Sequence, residues 1–104
     1  MANLDIKIQK ATACPSCKEY IYKLPIGMDI ELATSLEVFG QLMFPLDKFK
    51  VVMIKTDSIT LDSGIGRSDI RVKFLKETIS MSALLKSTLS KWLHDQGHEV
   101  AFIG

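Results

Sequence analysis

The sequence has few of the features that mark membrane or secreted proteins. Only two of its 104 residues are cysteine, and three are proline. The longest apolar runs, such as residues 51–54, are far too short to span a bilayer. The N-terminal residues carry no basic segment leading into a long apolar one, which is how a secretory signal begins. We therefore expect a cytoplasmic protein that does not enter a membrane.

The two cysteines, Cys14 and Cys17, stand three positions apart, which excludes a useful disulfide staple. A disulfide stabilises a protein by closing a long loop of the unfolded chain, and this spacing closes almost none. The net charge is only +1 at neutral pH, so overall charge implies no particular partner. Hydrophobic residues make up 47% and charged residues 24%, which is typical of a folded globular protein. The length predicts one domain over residues 1–104.

Hydrophobic periodicity predicts several β-strands. Four stretches alternate apolar with polar residues or are rich in β-branched types, which is typical of strands. These stretches are residues 4–10, 49–54, 59–61 and 70–74. Residues 18–24 fit either a strand or a short helix, and two tyrosines beside an isoleucine favour the strand. Residues 62–69 have turn composition, so a hairpin or meander is expected there.

Two helices are also predicted. Asp29 suits the N-cap of a first helix that ends at Gly40. The second helix has the clearest period, with apolar residues at helical spacing over residues 81–93. Ser80 or Ser82 is its predicted N-cap.

The C-terminal pattern completes the predicted fold. Gly97 ends the second helix, and residues 98–103 form a short strand after it. A strand, a helix and a strand in succession predict a crossover onto one sheet. We therefore expect an α+β fold with a single mostly antiparallel sheet, one or two helices packed on a face, and a C-terminal strand-helix-strand unit.

Cys14-Pro15-Ser16-Cys17 is the most chemically specific motif in the chain. With the residues that follow, up to Lys23, it resembles the first half of a zinc ribbon, where a Cys-Pro-x-Cys knuckle lies between two short strands. Two thiolates at this spacing fill two corners of a zinc tetrahedron, at about 2.3 Å from the metal. The resemblance implies Zn²⁺ as a cofactor and Cys14 and Cys17 as metal ligands.

The zinc ribbon's second Cys-x-x-Cys is absent, although a structural zinc ion takes four ligands. His94 and His98 form an H-x3-H pair that would complete a site of two cysteines and two histidines. Alternatively, the two cysteines of a second subunit would complete an all-cysteine site across a twofold axis. A third interpretation leaves both thiols packed as small hydrophobic groups without metal. The histidines also suit the end of a helix, where a cation favours the dipole.

A thiol–disulfide oxidoreductase is the competing hypothesis, because glutaredoxins and thioredoxins also place Cys-Pro-x-Cys shortly after a first strand. Cys14 would be the nucleophile and Cys17 the resolving thiol, with the first thiolate activated at a helix N-terminus. Two features oppose this hypothesis. Pro25 follows Cys17 too closely for a long helix, and the chain ends in a strand, whereas those families end in a helix.

The remaining sequence carries no Ser/His/Asp set and no paired-carboxylate motif. Residues 48–91 hold nine Lys or Arg against four Asp or Glu, which is typical of a phosphate-binding face or of an ordinary solvated surface. The prediction is a small intracellular binding or assembly module, rather than an enzyme, that meets a protein partner or associates with itself. The alternatives are the thiol oxidoreductase and a nucleic-acid accessory protein that uses residues 48–91.

Overall fold

A computed structural model of the chain describes residues 2–11, 18–43, 50–76 and 78–104. In these ranges the chain forms six strands and two α-helices. The strands are β1 (Ala2–Lys10), β2 (Glu19–Lys23), β3 (Val51–Lys55), β4 (Ile59–Gly64), β5 (Asp69–Phe74) and β6 (His98–Ile103). The helices are α1 (Ile30–Ser35), which continues into a 3₁₀ turn at Leu36–Val38, and α2 (Thr78–His94).

All six strands belong to one sheet, in the order β3-β4-β5-β2-β1-β6. Neighbouring strands are antiparallel except at one end, where β6 lies parallel to β1. β3, β4 and β5 form a meander, and α2 then carries the chain past β2 and β1 to β6. The predicted α+β fold, with its mostly antiparallel sheet and C-terminal strand-helix-strand unit, is confirmed.

The helices cover one face of the sheet, so the molecule has two layers. Successive side chains of a strand point to opposite faces, and every second one is therefore buried. The apolar strand residues that are at most 4% exposed on the covered face are Ile6, Tyr22, Val52, Ile54, Ile59, Leu61, Ile70, Val72 and Phe74. They pack against leucines of the helical layer in one core that includes Leu32, Leu85 and Leu89. The other face carries exposed polar residues such as Lys7 and Lys73.

Asp29 caps α1, as the sequence predicted. Its Oδ1 accepts a hydrogen bond from the backbone N–H of Leu32 at 2.9 Å, which satisfies one of the free amides of the first turn. The same oxygen accepts from Nε1 of Trp92 in α2 at 3.1 Å. One carboxylate oxygen thus begins α1 and fastens it to α2, 63 residues further along the chain.

Two glycines adopt backbone conformations that other residues rarely take. Gly66, with φ of +87°, lies in the turn between β4 and β5, and Gly97, with φ of +86°, follows α2. Gly97 therefore ends the second helix as predicted, because a left-handed residue cannot continue an α-helix.

The structure corrects several predicted boundaries. α2 begins at Thr78, before the predicted caps Ser80 and Ser82, and its first turn carries Ile79 at 88% exposure. An exposed apolar residue breaks the helical period there, which hid the first turn from the sequence pattern. α1 is shorter than predicted because its last turn tightens into the 3₁₀ turn, and β4 extends to Gly64, into the predicted turn. No helix in the described ranges is long and apolar enough to cross a membrane.

Candidate functional site

The predicted zinc ligands Cys14 and Cys17 lie in residues 12–17, outside the described residues. The residues that flank this segment are held at one end of the sheet. The Ala11 amide donates to the Glu19 carbonyl at 2.8 Å, and the Phe74 amide donates to the Lys18 carbonyl at 2.8 Å. The segment therefore leaves and rejoins the sheet where β1 and β5 end and β2 begins.

The two predicted histidine ligands lie near the other end of β1. His98 is the first residue of β6 and pairs with Ala2, the first residue of β1. Nine residue steps of strand, about 30 Å, separate Ala2 from Ala11. Three more residues of chain reach at most about 11 Å, and zinc ligands must all lie within about 2.3 Å of the metal. The position of His98 therefore gives no support to a site that combines the histidines with Cys14.

The described part of the chain offers no other metal centre. Among its His, Cys, Asp and Glu side chains, no group of three or more could hold a metal ion. The zinc prediction thus stays a prediction that rests on the spacing of Cys14 and Cys17 alone.

The structure does bring the two histidines together, in a groove beside the edge of the sheet. The groove has a volume of about 480 Å³ and lies between the C-terminal turns of α2 and the start of β6. Its lining residues are Ser90, Lys91, His94, His98, Glu99 and Val100. His94 is exposed, whereas His98 is half-buried and its Nδ1 is buried without a hydrogen-bond partner. We call this feature the edge groove.

The edge groove opens beside β6, which forms one margin of the sheet. β6 pairs with β1 along its whole length, from His98 opposite Ala2 to Ile103 opposite Lys7. No described residue pairs with the outer side of β6. Because the backbone groups of a strand alternate between its two sides, every second N–H and C=O of β6 faces outward. The alternation of residues 98–103 predicted a strand, but nothing in the sequence marked it as an edge.

A smaller cavity, of about 180 Å³, lies under the N-terminal half of α2 at the opposite end of the sheet from the edge groove. Tyr22, Ser82 and Lys86 are among its lining residues. Burial raises the pKa of the Tyr22 hydroxyl, and a hydrogen bond with Ser82 partly opposes the shift. Tyr22 is therefore protonated at neutral pH, and it serves there as a hydrogen-bonding core residue rather than as a base.

Two described arginines of the basic stretch at residues 48–91 lie beside acidic side chains. Arg67 forms an ion pair with Asp69 at 3.1 Å, and Arg71 lies 3.6 Å from Glu19. Acidic partners thus neutralise part of this stretch, in the manner of a mixed solvated surface. Tyr20 and Phe74, which could stack on bases, pack together at a ring separation of 6.0 Å on the covered face of the sheet instead.

Two features of the described residues therefore stand out: the end of the sheet that holds Ala11 and Lys18 on either side of residues 12–17, and the unpaired outer side of β6 with the edge groove beside it. Comparison of the chain with family models, with curated proteins and with solved structures finds no match.

Proposed function

We propose that this protein is a small binding or assembly module that engages a protein partner through β6. One observation carries the proposal: β6 is a six-residue edge strand whose outward backbone groups have no partner among the described residues, and a groove runs beside it. Backbone hydrogen bonds to an added strand supply affinity, and neighbouring pockets that accept alternate side chains supply specificity.

The β6 edge lacks most of the features that usually prevent strand addition. Natural edges are blunted by proline, by charged side chains and above all lysine, by bulges or by short length. β6 contains neither proline nor lysine. Its pairing with β1 runs through six consecutive residues with no bulge, and its one charged residue is Glu99. Such an edge favours association with another strand.

Site-specific photo-crosslinking in cells that express the protein tests this proposal. A photoreactive phenylalanine analogue replaces Ile103, which is 47% exposed on β6, and in a matched variant it replaces Val51, which is 42% exposed on β3. We expect a product of defined mass from position 103 and much less from position 51. Equal yields at the two positions, or no product at 103, would contradict the proposal.

A bound zinc ion is a separate part of the proposal. Because the position of His98 does not support histidine ligands, the ligand set that we favour is Cys14 and Cys17 of two copies. The ion would then stabilise the association of the two chains. Metal analysis of the purified protein should give about half a zinc per chain. No metal, together with unchanged stability on Cys14→Ser, would overturn this part of the proposal. About one zinc per chain would instead require ligands other than a shared set of cysteines.

Thiol chemistry is the second candidate function, and one observation favours it. Lys18, which follows the cysteine segment, lines an open surface depression of about 600 Å³ together with Thr78, Ile79 and Ser80 of the first turn of α2. The chain thus returns from the cysteines beside a helix N-terminus, a position that lowers a thiol pKa. Titration of the Cys14 thiol, by its rate of alkylation against pH, separates the candidates. A pKa near the ordinary value of about 8.5 would contradict this function.

A further inference from the structure

We infer that the partner of β6 is β6 of a second copy, paired antiparallel about a twofold axis at Ala101. The two six-stranded sheets then form one continuous sheet across the dimer. This inference rests on the proposed function, because it names the partner of the same edge.

The two edges of the sheet are not equally covered. At β3, Leu42 forms an antiparallel bridge with Ile54, and the Met43 amide donates to the Met53 carbonyl at 2.9 Å. Residues 42–43 thus occupy the outer side of that strand. The outer side of β6 has no such cover in the described ranges. A further strand can therefore add in full at β6 but not at β3.

The faces of β6 restrict how two copies can pair. Val100 and Phe102 pack on the core side, whereas Glu99, Ala101 and Ile103 are exposed on the open face. Residues directly opposite each other in an antiparallel pair share a face. A dimer with both helical layers on one side therefore has its axis at a residue. An axis at Ala101 sets Val100 opposite Phe102, which extends the apolar layer of each core into the other copy.

Charge distinguishes this register from the neighbouring one. With the axis at Ala101, Glu99 of the second copy lies opposite Ile103, whose partner in β1 is Lys7. With the axis at Val100, Glu99 would lie opposite Ala101, whose partner in β1 is Asp5. In each case two strand spacings, about 10 Å, separate the backbones, and long side chains shorten this distance. The first register therefore brings opposite charges together, and the second brings like charges together.

The same register supplies a neighbour to His98. With the axis at Ala101, residue 104 of the second copy lies opposite His98. The backbone of the second copy then runs past a half-buried ring whose Nδ1 is buried and has no hydrogen-bond partner. The second copy thus adds backbone beside the His98 end of the edge groove, whereas the buried Nδ1 stays out of its reach.

A disulfide test measures the register directly. In a background that carries Cys14→Ser and Cys17→Ser, Ala101→Cys places one cysteine in each chain at the twofold axis. Opposite residues of an antiparallel pair have Cα atoms about 4.5–5.5 Å apart, which a disulfide can bridge. Mild oxidation of the dilute protein should therefore yield a covalent dimer. The matched variant Glu99→Cys, four residues from its symmetry mate, should yield at least tenfold less.

Solution mass and a charge exchange complete the test. After metal is removed with a chelator, the full chain should sediment as a dimer, and Glu99→Lys should raise the dimer dissociation constant roughly two- to fivefold. Combining it with Lys7→Glu should restore the original value. A monomer at high concentration, or equal disulfide yields at positions 101 and 99, would overturn the inference. If the chain is a monomer and position 103 still crosslinks to another protein in cells, the proposed function holds while its partner is not a second copy.

The β6 dimer places the two C-terminal ends of β1, which lead to residues 12–17, at opposite ends of the joined sheet. β6 runs parallel to β1, so the ends of β1 that lead to the cysteines point away from each other across the axis. A zinc ion shared between copies would need a second interface. Removal of metal with a chelator should therefore leave the β6 dimer intact, and its dissociation on chelation would contradict the axis at Ala101.

Discussion

The two edges of the sheet differ in cover and not in the core behind them. Ile54 of β3 and Ile6 of β1, the strand that carries β6, are both fully buried. On its outer side, β3 contacts the bridge residues Leu42 and Met43, whereas no described strand pairs with the outer side of β6. The two edges are therefore distinguished by whether the outward backbone groups have partners, because the apolar core is buried equally well behind both. An interface is better sought where such backbone groups are unpaired.

Removing a buried core side chain should have the largest effect on stability. The loss should be the same beside β6, at Ile6, as in β3, at Ile54. Ile6→Ala and Ile54→Ala each remove a buried side chain and leave a cavity. We expect each to lower the free energy of unfolding by about 2–5 kcal/mol. Urea denaturation of the two variants checks this value.

Equal losses would show that the two edges rest on equally packed cores. If Ile6→Ala loses less than half the free energy of unfolding that Ile54→Ala loses, the comparison of the two edges is wrong. The core beside β6 would then be poorly packed, and the two edges would differ in packing rather than in cover alone. Ile6→Val and Ile54→Val serve as controls, and each should cost about 0.5–1.5 kcal/mol.

Loss of the hydrogen bonds by which Asp29 joins α1 to α2 should have the next largest effect on stability. Asp29 caps α1 and accepts from Trp92 of α2. The α1 segment leads to Gly40, which lies against Ile54 and Thr56 near β3. Asp29→Ala removes both hydrogen bonds and should cost about 1–3 kcal/mol in thermal or urea unfolding.

Asp29→Asn is the matched control, because an asparagine side chain keeps the accepting oxygen and is also a favourable N-cap. It should restore most of the stability. If Asp29→Ala and Asp29→Asn destabilise the protein equally, the negative charge rather than the two hydrogen bonds fastens the helices, and this link between the sides has another physical origin.

Uncovering β3 should have the smallest effect on stability and should sharpen the comparison most directly. Met43→Pro removes the amide that donates to the Met53 carbonyl, and we expect a loss of about 0.5–1.5 kcal/mol. Hydrogen exchange of the β3 amides should accelerate, while exchange in β6 stays unchanged. Met43→Ala keeps the amide and serves as the control. Unchanged exchange in β3 would mean that residues 42–43 do not protect this edge.

Much of the secondary structure could be predicted because local patterns encode it. The alternation at residues 4–10 reports one buried and one exposed face, and β1 has those faces. The cap at Asp29 and the end at Gly97 were also predicted, because each depends on the chemistry of a few consecutive residues. The start of α2 was missed because Ile79 is apolar and yet exposed, which a periodic pattern cannot distinguish from a loop.

The candidate site was harder to predict, since it depends on distance in space. His94 and His98, the H-x3-H pair, both line the edge groove, while their predicted role as metal ligands stays a prediction. The H-x3-H spacing could not show that β1 stands between His98 and the end of the sheet where the cysteine segment is attached. Strand length and direction set that separation, and they act only once the strands are paired.

The sequence by itself determined the fold class, the positions of most strands and helices and the presence of a thiol pair at residues 14 and 17. Those features follow from periodicity, capping and spacing within short stretches of chain. The tertiary structure alone decided the strand order, which makes β6 a sheet edge and covers β3 with residues 42–43. Strand order is set by which long-range pairings bury the most apolar surface together, so no local stretch of sequence contains it.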